Sequence, residues 1–187
     1  MIAICIGHSR SGDKGAVSVT GMTEHAFNTR LGNDVAALLT NIGHPVEVIT
    51  HYEGHCYTAA QKWLGEYLKK QNATLAIELH FNSADNPKAQ GYEYLHHEDS
   101  HRGRDLATAL HSAHRVRFAG NVNRGIKPIA PGGRGFEFLR RTPCPAVICE
   151  PFFGSNEVEW TLYNKETGRD RLAEAYAAGI RAFLNQS

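Results

Sequence analysis

Three short apolar runs constrain this chain more than anything else in it: Ile2 to Ile6, Leu75-Ala76-Ile77 and Ala146 to Cys149. Unbroken apolar runs of this length read as strands buried on both faces, the pattern of a parallel sheet covered by helices. Between Glu24 and Ile42, apolar side chains recur at Phe27, Leu31, Val35, Leu38, Leu39 and Ile42. That spacing is helical and turns one face to a core. Gly43 stands where a C-terminal cap is favoured, and Pro45 blocks continuation. Val46 to Thr50 then reads as a second strand. Strand, helix, strand in this length predicts a right-handed βαβ unit with parallel strands.

The pattern continues along the chain. Tyr57 to Lys70 predicts a helix with Ala60, Trp63, Leu64, Tyr67 and Leu68 inward. Leu75 to His80 is a third strand. Gly91 to His96 is a fourth, with Tyr92, Tyr94 and His96 on one face of a period-two pattern. Asp99 to His114 is a helix carried by Leu106, Ala109, Leu110 and Ala113, and Ala146 to Glu150 a buried strand. Asp170 to Leu184 is a terminal helix, with Leu172, Ala173, Tyr176, Ile180, Phe183 and Leu184 on its stripe. Arg115 to Arg141, rich in glycine and basic residues and holding Pro128 and Pro131, reads as a long irregular segment with a short extended piece at Phe136 to Leu139. The expected fold is α/β: a mixed, mainly parallel twisted sheet flanked by helices on both faces, with an active site at the C-terminal strand edge. One domain is expected over residues 1–187.

Composition excludes several classes. The net charge of +1 gives no bulk electrostatic case for nucleic acid. No apolar run approaches the roughly 18 residues a membrane span needs. Met1 to Ile6 is too short for a signal h-region and lacks a basic flank, so no signal peptide is expected. Cys5, Cys56, Cys144 and Cys149 form no CxxC pair and are expected as free thiols, with Cys5 and Cys149 buried in strands. Eleven histidines make metal chemistry worth testing. His51 and His55 have the right spacing for a helical metal pair, but Gly54 argues against a helix there. The run from His96 to His101 is expected at the surface, where it could take an adventitious metal.

The chemistry concentrates at strand ends. His8 follows the first strand, His80 closes the third and Glu150 closes the last, so a largely parallel sheet brings them to one edge. Glu24, opening the first helix, can face the same edge. Each has a plain alternative: a turn-capping His8, a satisfied core His80, a Glu24 placed by the helix dipole. Glu150 is harder to dismiss, because an acid ending an apolar strand needs a partner. Together, two histidines and a carboxylate make a His₂Glu donor set suited to hydrolytic zinc, with Glu150 as general base.

The motifs run in order as Gly7-His8 with Gly15-Ala16, Glu24 with Asn28, His80-Phe81-Asn82, and Glu150-Pro151-Phe152-Phe153-Gly154-Ser155-Asn156. In this the chain resembles the zinc-dependent N-acetylmuramoyl-L-alanine amidases of the amidase-3 type. The resemblance covers nearly the whole chain. Each motif is weak alone, and the ordered set is specific. It implies one catalytic Zn²⁺ on His8, Glu24 and His80, with Glu150 as acid/base. It implies cleavage of the peptidoglycan amide between muramic acid and L-alanine of the stem peptide. The His8–Gly15 loop is one residue longer than the common form, and Glu78 stands where a small serine is usual. Glu78 is expected to support His80, to compete as a carboxylate, or to be a partly solvated strand-end acid, and Asn82 to organise the loop beside it. Arg124 or Arg140 is expected to grip a stem-peptide carboxylate. The absence of a wall-binding module and of an export signal resembles a single-domain phage or prophage endolysin. Such a protein is made in the cytoplasm, acts on the cell wall after release, and is expected as a monomer without membrane or nucleic-acid partners. A zinc peptidase or carboxypeptidase on wall peptides, and an inert peptidoglycan-binding module, are the competing functions.

Overall fold

A computed structural model describes residues 1–186. In chain order the elements are β1 (Ile2–Ile6), α1 (Glu24–Thr40), β2 (Val46–Ile49), α2 (Tyr57–Lys70), β3 (Leu75–Leu79), β4 (Tyr92–His97), α3 (His101–Arg117), β5 (Asn123–Ile129), α4 (Phe136–Arg141), β6 (Ala146–Glu150), α5 (Glu157–Asn164) and α6 (Glu166–Leu184). The strands form one sheet in the order β2-β1-β3-β6-β4-β5. β2, β1, β3 and β6 are mutually parallel; β4 runs antiparallel to β6, and β5 parallel to β4. The mixed, mainly parallel sheet expected from the apolar runs is therefore the one observed.

Strand alternation decides which side chains face which layer. Ile2, Ile4, Ile6, Leu75, Ile77, Leu79, Val147 and Cys149 point to the core shared with α1, α3, α5 and α6. Ala3, Cys5, Ala76, Ala146 and Ile148 point to the opposite core, closed by α2 and α4. The same period puts Glu78 and Glu150, and His80 one residue past the end of β3, on the α2 side of the sheet. The small residues on that side leave room at the strand ends for polar groups.

Helix boundaries follow local chemistry. Thr23 caps α1 by accepting from the Ala26 N–H at 3.2 Å. At the other end Gly43 N–H bonds Thr40 O at 2.9 Å and His44 N–H bonds Leu39 O at 3.2 Å. With Gly43 at φ 88° this is the left-handed termination expected of that glycine. On α1, Phe27, Leu31, Val35 and Leu39 are buried, whereas Leu38 and Ile42, expected on the same stripe, are 38% and 49% exposed.

The segment expected to be irregular is the main correction. Its first residues finish α3, its middle is strand β5, and Phe136 to Arg141 is helical rather than extended. β5 is a half-exposed edge strand without apolar alternation, and Pro128 is tolerated there because an edge strand can spare an N–H. α4 has six residues, too few to show a helical period, and starts from Gly135 at φ 75°. α5 had no counterpart in the sequence reading, and α6 begins four residues ahead of Asp170. His96 is also corrected: it is buried, its Nδ1 bonded to His97 O at 2.8 Å, so the His96–His101 run is not one exposed cluster. His51 and His55 lie exposed in a loop, as expected. All four cysteines are free, with Cys5 and Cys149 buried and Cys56 exposed. No helix among the described residues is long and apolar enough to cross a membrane.

Candidate functional site

The C-terminal ends of β1, β3 and β6 meet along one edge of the sheet, and β4, running the other way, brings its first residues to the same edge. A cleft of about 490 Å³ opens there, lined by His8, Glu24, Glu78, His80, Arg134 and Glu150 among others. His8 leaves β1 with φ 60°, a left-handed backbone uncommon for a residue with a side chain. Such strain persists only where the surroundings impose it, and functional sites collect it.

Glu24 is the hub. It lies in the first turn of α1, 3% exposed. Its Oε1 faces His80 Nδ1 at 2.8 Å and accepts from the Phe81 N–H at 3.1 Å. Its Oε2 accepts from the Ala16 N–H at 3.0 Å and faces His8 Nε2 at 3.3 Å. Burial pushes this carboxyl up, but the bonds with His8 and His80 outweigh it and hold the group well below the usual carboxylate range. The imidazoles respond in the opposite sense. Burial lowers both, and Glu24, joined by Glu78 at His80, raises both above the ordinary histidine value.

One ligand atom each from His8, Glu24 and His80 lies within 4.8 Å of the others. The donor set itself fits a divalent cation: two imidazole nitrogens and a carboxylate oxygen converge. The nitrogen of each ring that points away from Glu24 already faces another carboxylate. His8 Nδ1 is 2.9 Å from Asp13 Oδ1, and His80 Nε2 is 3.2 Å from Glu78 Oε2. Ligating histidines characteristically use their second nitrogen in this way.

Glu150 closes β6 beside this cluster, 4% exposed. Its Oε1 is 3.4 Å from Arg134 Nη1, and its Oε2 has no hydrogen-bond partner among the described residues. Burial raises the carboxyl to about 7, with His80 and Arg134 only partly opposing. Directly across the β4–β6 ladder stands Glu93. Its Oε1 accepts from Arg134 Nη2 at 2.9 Å and from Asn82 Nδ2 at 3.3 Å, and its Oε2 accepts from Arg124 Nε at 3.1 Å. Asn82 Oδ1 in turn accepts from Arg134 Nη1 at 2.7 Å. Asn82 also ties β3 to the segment after β6, its backbone N–H bonding Phe152 O and its carbonyl accepting from Gly154.

Of the residues singled out from sequence, His8, Glu24, Glu78, His80, Asn82 and Glu150 come together at the cleft. Arg124 stands at its margin on Glu93, with its guanidinium 5.1 Å from the Phe153 ring centre. Arg140 does not reach the cleft; it bonds Glu137 on α4 at 2.8 and 3.1 Å. The arginines that line the cleft are Arg10 and Arg134, and neither they nor Asp13 and Glu93 stood out in the sequence. The period-two reading of this strand put Glu93 on the face opposite Tyr92 and Tyr94, and gave no sign that this face too is buried.

The Ser155-Asn156 pair holds the rim. Ser155 Oγ accepts from the Ala84 N–H at 3.0 Å. Asn156 caps α5 by accepting from the Glu159 N–H at 3.0 Å and donates to Pro87 O and Ala89 O at 3.1 and 3.2 Å. Behind it, Phe27, Phe81, Phe152 and Trp160 pack with ring centres 5.2–6.2 Å apart.

Comparison with known proteins bears on this arrangement. The chain is 30% identical over 116 residues to an endolysin of Bacillus phage SPP1, a match covering 60% of this chain and 41% of that protein. The chain thus matches less than half the length of that relative. Its fold is shared with the N-acetylmuramoyl-L-alanine amidase AmiC2 of Nostoc punctiforme, with a TM-score of 0.82, 23% identity and coverage of 99% and 97% of the two chains. It is also shared with the CwlD amidase of Clostridioides difficile, with a TM-score of 0.86, 22% identity and coverage of 100% and 99%. The model of one family, described as N-acetylmuramoyl-L-alanine amidase (Amidase_3), matches residues 2–182, and the chain belongs to that family.

Proposed function

We propose that the chain is a peptidoglycan hydrolase that cleaves the amide between N-acetylmuramic acid and the L-alanine of the stem peptide, using one zinc ion held by His8, Glu24 and His80. The observation that carries the reading is the convergence of that donor set beside a buried carboxylate, in a member of the amidase family. Zinc bound there supplies Lewis acidity, which activates water and polarises the scissile carbonyl. The protein's own groups do the rest. Glu150, raised by burial to about 7, takes a proton from the attacking water and delivers it to the departing amide nitrogen. The position of Arg134, bonded to Asn82 and Glu93, keeps a cation beside Glu150 without placing a base in competition with it. Asp13 and Glu93 are buttresses: the first orients His8, the second holds Arg134. An endolysin-type role, acting on the wall after release, is supported by the relative from phage SPP1.

The test is digestion of purified peptidoglycan followed by mass analysis. Free stem peptides beginning at L-alanine are expected. Cut glycan strands or internally shortened peptides overturn the assignment in favour of a glycosidase or peptidase. Glu150→Gln is expected to retain stoichiometric zinc and to lose about 10²–10⁴-fold in kcat, the usual contribution of a general acid–base group. Retained turnover moves the base to another residue.

A further inference from the structure

We infer that Glu78 is a positioning residue: held by Tyr52 and Gln61, it keeps the proton of His80 on Nε2 and so presents Nδ1 to the metal. The inference rests on the zinc reading above and extends it to a part of the site that the family motifs do not include. Glu78 is 2% exposed, and no lysine or arginine bonds it among the described residues. A carboxylate taken out of water without a cation is costly, so its hydrogen bonds must account for it. Its Oε1 accepts from Tyr52 Oη at 3.2 Å and from Gln61 Nε2 at 3.3 Å, and its Oε2 faces His80 Nε2 at 3.2 Å. The two donors come from different pieces of chain: Tyr52 from the loop after β2, Gln61 from the second turn of α2. Both are buried. Neither can donate a charge, so their effect is to fix where the carboxylate points.

The same geometry excludes the competing role, that of an additional ligand. The His80 ring stands between Glu78 and the convergence point, with Nδ1 towards Glu24 and Nε2 towards Glu78. The ring cannot back away, because it lies against Gly7: a Cβ on that residue would come 2.3 Å from His80 Cε1. Glu78, although it lines the cleft, therefore reaches the convergence point of the donors only through the imidazole. With the Nε2 proton engaged by a fixed carboxylate, the Nδ1 lone pair is the one left to bind an ion. The carboxylate also makes that nitrogen more basic.

Zinc affinity, measured by competition with a chromophoric chelator, tests this without relying on turnover. Glu78→Gln is expected to bind zinc about 10–100-fold more weakly than the natural protein, the usual cost of losing such a partner. Equal affinity in the two proteins overturns the inference and leaves the zinc reading standing; a natural protein that takes up no zinc overturns the reading itself. A second measurement covers a variant that fails to fold. In the zinc-loaded natural protein with ¹⁵N-labelled histidine, long-range ¹H–¹⁵N correlation is expected to show His80 protonated at Nε2 and not at Nδ1. The reverse tautomer sinks the proposal.

Discussion

Gly7 has no side chain because His80 occupies the place where one would go. A methyl group there would stand 2.3, 2.6 and 2.6 Å from Cε1, Nδ1 and Nε2 of that ring. Gly15 is in the same position against the other histidine: its Cβ would lie 2.6 Å from His8 Cδ2 and 2.9 Å from Glu24 Oε2, and its φ of 64° suits glycine in any case. Gly7→Ala therefore has to displace the His80 ring from Glu24 and Glu78 while leaving β1, which ends one residue earlier, unchanged. A displacement of about 1 Å at a catalytic group costs about 10²-fold. The variant is expected to lose at least that in kcat/KM on a soluble muramoyl-peptide while keeping its far-UV circular dichroism. Activity within a few-fold of the natural protein would show that the ring is not held by this contact. Residues of this kind were legible in the sequence as an ordered pattern, Gly7-His8 with Gly15-Ala16, before any reason for the glycines could be given. Asp13 and Arg134 were not legible in the same way. What marks them is a partner in space, His8 Nδ1 within the same loop for one and Glu93, Asn82 and Glu150 on other parts of the fold for the other, and neither kind of pairing leaves a period in the chain.

At the scale of elements, what could be read is what burial writes into the sequence. β1, β3 and β6 are buried along their whole length and appear as apolar runs. β5 is a half-exposed edge and α4 a helix of six residues, so neither leaves a signal. His114 shows a second limit. It closes the helix expected from the sequence without being among the residues read as carrying its apolar stripe, yet it is fully buried. Its Nδ1 is 2.8 Å from Tyr94 Oη on β4 and its Nε2 is 3.0 Å from Tyr163 Oη on α5, with Tyr92 stacked on the ring at 4.1 Å. One imidazole thus joins three elements, and in its neutral form one ring nitrogen donates while the other accepts. Burial, with a smaller contribution from His111, lowers its pKa to about 3. The unfolded chain binds this proton below about pH 6.5, while the folded protein does so only near 3. Stability from this group is therefore complete above about pH 6.5 and falls as the pH drops from there towards 3, by about 1 kcal/mol per pH unit in the steep part. His114→Gln is expected to be less stable at pH 7 and to show a flatter dependence of Tm on pH between 6.5 and 4. Parallel profiles for the two proteins would place the acid sensitivity elsewhere.

For the molecule as a whole, the candidate metal centre lies where separate parts of the chain meet. His8 follows β1, Glu24 opens α1 and His80 follows β3, so the donors come from three elements that meet at one point of the sheet edge. Beneath them, Phe27 of α1 packs on Phe81 and Phe152, the residues that leave β3 and β6. The aromatic layer positions the donors, but it does not neutralise them: Glu24 is buried and faces both imidazoles. An ion at that point would tie the elements together and bind only the folded chain, since the donors are scattered along the sequence. Binding to the native state alone stabilises by RT ln(1 + [L]/Kd), about 2.7 kcal/mol when free zinc is 100 times Kd. For a domain of this size each kcal/mol moves Tm by about 2–4 °C, so removing the metal is expected to lower Tm by about 5–10 °C. The measurement is a thermal melt of the zinc-loaded protein, of the protein after chelation, and after zinc is returned. Glu150→Gln should show the same shift, because Glu150 lies outside the donor set. His8→Ala should show little or none, because a ligand is gone. A chelator that leaves the Tm of the loaded natural protein unchanged, or a His8→Ala protein with the full shift, would mean that the ion binds somewhere other than at His8, Glu24 and His80.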